Sequence, residues 1–143
     1  MAVVTAATAI IFALYLTNAT PSVPAISAAD ALTADRPWVV KLHAQWCPVC
    51  RLTKGVWSRI EATYAGRVRL VVFDFTSDET TTASRAEAER LGLTDFFDES
   101  GFATGPIVVL DSSTKEIVAW INGSRDFAEY SAAIDAALDD VRR

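Results

Sequence analysis

Cysteine, histidine and methionine are scarce in this chain: of 143 residues, two are Cys, one is His and one is Met. A structural zinc site of four cysteines, or of three with a histidine, therefore cannot be built from the chain alone. Positive charge is also short. Thirteen Lys and Arg stand against eighteen Asp and Glu, a net charge of −5, and a general nucleic-acid binder would want a basic face. No Lys or Arg precedes Arg36. The N-terminus therefore lacks the positive region of an ordinary export signal, and the flanking charge that would orient a membrane span. What is present is apolar: 51% of the residues are hydrophobic, enough to pack one domain and leave a tail.

Much of that apolar content lies at the N-terminus. Val3 to Leu16 is almost uninterrupted, with Ile10, Ile11, Phe12, Leu14 and Leu16 at its centre. A spanning helix needs about 20 apolar residues, a length reached only if Thr17 to Thr20 are counted. Three readings follow: an uncleaved membrane anchor, an export signal cut near Ser27-Ala28-Ala29, or an apolar helix buried against the domain or a partner. Pro21 and Pro24 among small residues read as a linker. The expected organisation is a leader or anchor over 1–20 (membrane contact over 3–17), a linker over 21–26, and one domain over 27–143.

Within that domain, Ser27 to Ala34 reads as a short helix stopped by Pro37. Trp38 to Ala44 (WVVKLHA) is rich in strand formers. Val49, Leu52, Val56, Ile60 and Tyr64 are spaced as one face of a helix over Cys47–Tyr64, closed by Gly66. Val68 to Phe75 is a nearly continuous apolar run, as in a central strand. A polar helix over Thr80–Leu91 ends at Gly92. Strands over Ile107–Leu110 and Glu116–Ile121 flank the turn Asp111-Ser112-Ser113-Thr114. Asn122-Gly123 breaks the chain before a last helix over Asp126–Val141. A βαβ unit followed by a hairpin and a helix implies a four-stranded mixed sheet with helices on both faces.

The two cysteines stand three apart, in Trp46-Cys47-Pro48-Val49-Cys50. A bridge across so small a loop restricts the unfolded chain only weakly, so reactivity explains the pair better than stapling. The first cysteine falls where a strand gives way to a helix. Unpaired N–H groups and the positive end of the helix dipole favour a thiolate there, drawing its pKa below the usual value of about 8.5. Pro48 suits the first helical turn, where its missing N–H costs nothing. Cys50, one turn on, can reach back. Cys47 is thus the candidate nucleophile and Cys50 the candidate resolving thiol.

These residues resemble the thioredoxin family. Trp46-Cys47-Pro48-Val49-Cys50 matches its W-C-x-x-C, Val39 to Ala44 is similar to the strand that leads into it, and Gly105-Pro106-Ile107-Val108-Val109-Leu110 is similar to its cis-proline and following strand. The resemblance covers roughly Ala25 to Val141. It implies a cis-proline at Pro106 facing the dithiol, a Gly105 backbone that pairs with the substrate chain, and a Trp46 that shields the dithiol.

The departures are also informative. Many family members carry a buried Asp six residues before the first cysteine; here that residue is Lys41. It could pair with Asp74 in the next apolar run, or lie at an exposed sheet edge. If close to the thiols, it would lower their pKa values by charge. The pair Pro48-Val49 resembles glutaredoxins and oxidising exported members more than the Gly-Pro of cytosolic thioredoxins. Thr94 to Ala103 is longer than usual, with Phe96, Phe97 and Phe102 either lining a partner-binding lip or plugging the core; two of the three read as core. His43, beside the motif, reads as structural before catalytic.

The expected function is a protein thiol–disulfide oxidoreductase, as a reductase in preference to an oxidase. It would need no cofactor, would act on protein disulfides or thiols, and would draw on an electron-donor redox protein. The leader places it on a membrane or outside the cytoplasm, where disulfide chemistry is common. Two other readings stand beside this one. One is a thioredoxin-fold subunit or assembly factor of a membrane complex with silent or regulatory cysteines. The other is a Cu(I) carrier, which would have one Met and one His to support two thiolates.

Overall fold

The computed structural model describes residues 35–143. The leader, the linker and the expected helix over Ser27–Ala34 lie outside the described residues. β-Branched and aromatic residues make four strands: β1 (Trp38–His43), β2 (Arg69–Asp74), β3 (Pro106–Leu110) and β4 (Ile117–Asn122). Between and after them run α1 (Pro48–Leu52), α2 (Lys54–Tyr64), α3 (Asp78–Leu91), α4 (Thr94–Glu99) and α5 (Phe127–Val141). The sheet order is β2-β1-β3-β4. β1 pairs parallel with β2 and antiparallel with β3, and β3 pairs antiparallel with β4. This is the mixed four-stranded sheet flanked by helices that the element order implied. Among the described residues no helix is long and apolar enough to cross a membrane.

Side chains alternate along each strand, so the sheet buries two separate cores. Val39, Ile107, Val109 and Ile121 pack against Val56, Trp57, Ile60 and Tyr64 of α2 and Tyr130 and Ile134 of α5. Trp38, Val40, Leu42, Phe73, Val108 and Leu110 face the other way, against Ala88 of α3 and Phe96 and Phe97 of α4. Central β1 contributes to both, which makes it the rigid base for whatever follows its C-terminal end.

Helix ends are settled by local chemistry. Ser77 caps α3 by accepting from the Thr80 N–H at 3.2 Å, while the Thr80 hydroxyl accepts from the Ser77 N–H at 3.0 Å. This reciprocal cap starts α3 two residues earlier than Thr80. Asp126 caps α5 through the Ala128 N–H. The expected single helix over Cys47–Tyr64 is instead two. Fully buried Thr53 turns its hydroxyl back to the Val49 carbonyl at 3.0 Å, and a second helix starts after it at Lys54. α4 was not anticipated: its six residues are too few to show a helical period.

Candidate active site

β1 ends at His43, and the chain turns through Ala44, Gln45 and Trp46 into the cysteines. Hydrogen bonds to the neighbouring loop fix this turn. The Gln45 N–H donates to Thr76 Oγ1 at 2.9 Å, and the Trp46 indole N–H donates to the Thr76 carbonyl at 3.2 Å. Asp74 holds Thr76 in turn, accepting from its N–H at 2.8 Å and from its hydroxyl. The Trp46 ring stays 60% exposed beside the dithiol, forming part of its rim rather than a lid.

Cys47 is the N-cap of α1. Its Sγ accepts the Cys50 N–H at 3.2 Å, in the place where Ser or Asp usually serves, and Pro48 follows at the first helical position. Both cysteines are free, and each is only 2% exposed. Burial alone would push the Cys47 thiol up. The hydrogen bonds it receives from the Cys50 thiol and N–H, from the Thr104 side chain and from the Val49 N–H outweigh burial and bring it below the ordinary thiol value. Cys50 moves the opposite way: burial and its bond to Cys47 raise it, opposed by the Ala44 N–H and, more weakly, by the charge of Lys41. Its Sγ also lies 3.7 Å from the Leu42 carbonyl, a second acceptor within reach of the same proton. Cys47 is thus the readier of the two to ionise and Cys50 holds its proton more tightly, the division of labour the spacing implied.

Gly105 belongs to the site through its backbone. Its φ is +113°, and a Cβ there would stand 2.9 Å from Val49 Cγ1 and 3.0 Å from Asn122 Oδ1, so only glycine fits against the motif. Its N–H donates to the Leu42 carbonyl at 2.8 Å, which ties this loop to β1. The expectation of a cis-proline is corrected: no cis peptide bond occurs among the described residues, and Gly105–Pro106 is trans. The positive φ of Gly105 makes the turn, and Pro106 then opens β3 as a strand-start proline would. Thr104, which the sequence reading passed over, supplies a side-chain hydrogen bond to Cys47. Its position immediately before the Gly-Pro pair was the available signal.

Lys41 and Asp74 do not form the expected pair. In the parallel register Lys41 lies opposite Val72, and Asp74 opposite His43. Asp74 is engaged by Thr76. Nor does Lys41 sit at an edge: it is on a central strand, 7% exposed, with Nζ 5.5 Å from the centre of the Trp57 ring. Burial lowers its pKa, opposed by the charges of Cys50, Glu61 and Cys47. His43, two residues on and on the same face, also has a lowered pKa, from burial and then from Lys41, with Asp74 opposing. Its Nδ1 is buried with no hydrogen-bond partner among the described residues. Of the three phenylalanines near the site, Phe96 and Phe97 are core. Phe102 is half exposed, with its ring 5.4 Å from Phe75 and 5.9 Å from Phe97.

Comparison with known proteins agrees with this geometry. "Thioredoxin C-2" of Corynebacterium nephridii is 40% identical over 53 residues, 37% of this chain and 49% of that protein. The chain thus spans about half the length of the curated relative it matches. A solved thioredoxin-like protein in its oxidised form superposes with a TM-score of 0.50 at 13% identity, covering 75% of this chain and 80% of its own. At that identity the likeness speaks for the fold alone. A thiol:disulfide interchange protein of the thioredoxin family from Chlorobium tepidum is similar at a TM-score of 0.46, with 21% identity over 72% of this chain and 80% of its own. The family model described as Thioredoxin matches residues 26–104, more than half of the sequence and inclusive of β1, the dithiol and the loop that carries Thr104. With the sheet, the capped dithiol and this match in agreement, the chain belongs to the thioredoxin family.

Proposed function

We propose that this protein is a thiol–disulfide oxidoreductase acting on protein disulfides, with Cys47 as nucleophile and Cys50 as resolving thiol. One observation carries the reading: Cys47 Sγ caps α1 and accepts the Cys50 N–H, so its anion is stabilised where it must attack. The Cys47 thiolate attacks one sulfur of a client disulfide. That S–S bond breaks, and the other client sulfur leaves as a thiolate that takes a proton from solvent. Cys50 then gives up its proton and attacks Cys47 Sγ, and the bond between Cys47 and the client breaks. The client has gained two electrons, and Cys47 and Cys50 are joined as a disulfide. A dithiol electron donor returns the pair to the reduced state. We read the direction as reduction of clients, with residues 3–17 as a membrane anchor and the domain outside the cytoplasm.

The test is an equilibrium titration of the full chain in dithiothreitol redox buffers. Glutathione buffers extend the titration to the oxidising range, and a reversible two-electron couple between Cys47 and Cys50 is expected. A midpoint near about −270 mV, as for thioredoxins, supports a reductase, and one near about −120 mV supports an oxidant. Absence of any reversible couple would overturn the proposal in favour of a binding subunit with silent cysteines.

A further inference from the structure

The side chain beneath the dithiol is a cation. Lys41 lies on β1, one residue before the carbonyl within reach of the Cys50 thiol, and it is 7% exposed. Its Nζ is stacked 5.5 Å over the Trp57 ring. Among the described residues it has no carboxylate within 4 Å. The ionisable groups that act on it are Cys47 and Cys50 from α1 and Lys54 and Glu61 from α2, and on its own strand it acts on His43. Of the three acids in that set, two are the reacting thiols.

Resting on the oxidoreductase reading, we propose that Lys41 is a positioning residue for the resolving step: its buried ammonium group holds the negative charge that Cys50 acquires when it attacks the mixed disulfide. A buried cation without a counter-ion is costly. In the dithiol form a thiolate supplies the counter-ion. In the disulfide form neither sulfur can be an anion, and of the acids that act on Lys41 only Glu61 remains. The charge therefore favours the reduced state and makes the couple more oxidising than a neutral residue at this position would. Proton balance is unaffected. Cys50 loses its proton to solvent, Lys41 keeps its own, and the departing client thiolate is protonated as before. The nearest cations oppose the effect only weakly: Lys54 is exposed, and His43 is held toward its neutral form.

The experiment compares the full-length wild type with Lys41→Met, Lys41→Gln and Lys41→Arg. Cys47 is first trapped as its mixed disulfide with glutathione at low pH. A pH jump then starts resolution, and glutathione release is followed as a function of pH. With either neutral residue, the titration of Cys50 should move up by about one unit. Below that titration, release should slow about threefold, because tenfold less thiolate is partly offset by its greater nucleophilicity. Above it the deficit should vanish or reverse, which simple damage to the fold would not produce. The midpoint potential should become more reducing, and Lys41→Arg should restore both values toward wild type. A second measurement needs no variant: the Lys41 side chain, titrated by NMR, should have a higher pKa in the dithiol form than in the disulfide form. Unchanged Cys50 titration in both neutral variants, or equal Lys41 titration in the two redox forms, overturns the inference and leaves the oxidoreductase reading standing. Failure of the wild type to form the disulfide at all overturns that reading instead.

Discussion

The two faces of β1 follow different rules. Trp38, Val40 and Leu42 enter an apolar cluster dominated by Phe73, Phe75, Phe96 and Phe97, with the Arg69 and Arg85 guanidinium groups stacked on the rings of Trp38 and Phe97. Phe97 meets Phe73 edge to face at 5.1 Å, the geometry aromatic rings prefer, and Phe75 in a tilted arrangement at 5.5 Å. Val39 enters the other core, and further along the same face of the strand the apolar series is broken by the buried ammonium group of Lys41 and by the partly buried imidazole of His43, whose Nδ1 has no partner among the described residues. Local choice and fold agree on the first face, apart from the Trp38 indole N–H, which is buried without a hydrogen-bond partner among the described residues. On the second they conflict at two positions, both next to the dithiol, and such conflicts concentrate where a fold carries chemistry. One face stabilises the strand, and the other conditions the sulfurs that follow it.

Substitutions can separate these roles. Phe97→Ala should cost about 3–5 kcal/mol in urea unfolding, a large part of a typical domain's stability. Its folded fraction should nevertheless keep the wild-type redox midpoint; a moved midpoint would mean that the two faces are not independent. Gly105→Ala, which forces a side chain into positive φ and against Val49, should cost about 1–3 kcal/mol and slow thiol exchange, measured with a disulfide-bonded client. Ser77→Ala removes the α3 cap on the aromatic side and should cost about 1 kcal/mol with exchange unchanged.

The subtlest effect is on pH dependence. Cys47, lowered in the fold, binds fewer protons there than in the unfolded chain, so it adds stability to the dithiol form as pH rises toward the ordinary thiol value. That contribution is lost as pH falls through the folded titration. Cys50, raised in the fold, removes stability as pH climbs past the ordinary value toward its own. The stability of the dithiol form relative to the disulfide form, from denaturation of each, should therefore peak near the ordinary thiol titration. A monotonic curve would show that the two thiols are not split.

Much of this was legible from the residues. The strand leading into the motif, the αL stop at Gly92 and the start of α5 at Asp126 follow from propensity and capping, which are local. So does Cys47 at a helix N-terminus. The rest depended on information that does not reside in a short window. Whether Lys41 meets Asp74 is a question of β1–β2 register, and the register sets Asp74 two residues beyond it. The peptide bond before Pro106 depends on how Gly105 turns against Val49, a contact across 56 positions of sequence. The break at Thr53 arises from one hydroxyl bonding back, which apolar spacing cannot register. The fate of Phe102, half exposed while Phe96 and Phe97 are buried, is decided by its position after α4, an element too short to be seen.

Because Cys47 Sγ is both the α1 cap and the attacking atom, architecture and reactivity share a single sulfur. Any reagent that claims that sulfur also competes for the bond that starts the helix, so alkylation or overoxidation should loosen the first turn as well as silence the chemistry. Serine at position 47 would retain the cap and lose the nucleophile, whereas alanine would lose both. A client-trapping variant therefore belongs at the other cysteine: Cys50→Ser keeps the nucleophile, and the backbone N–H at position 50 still caps onto Cys47 Sγ.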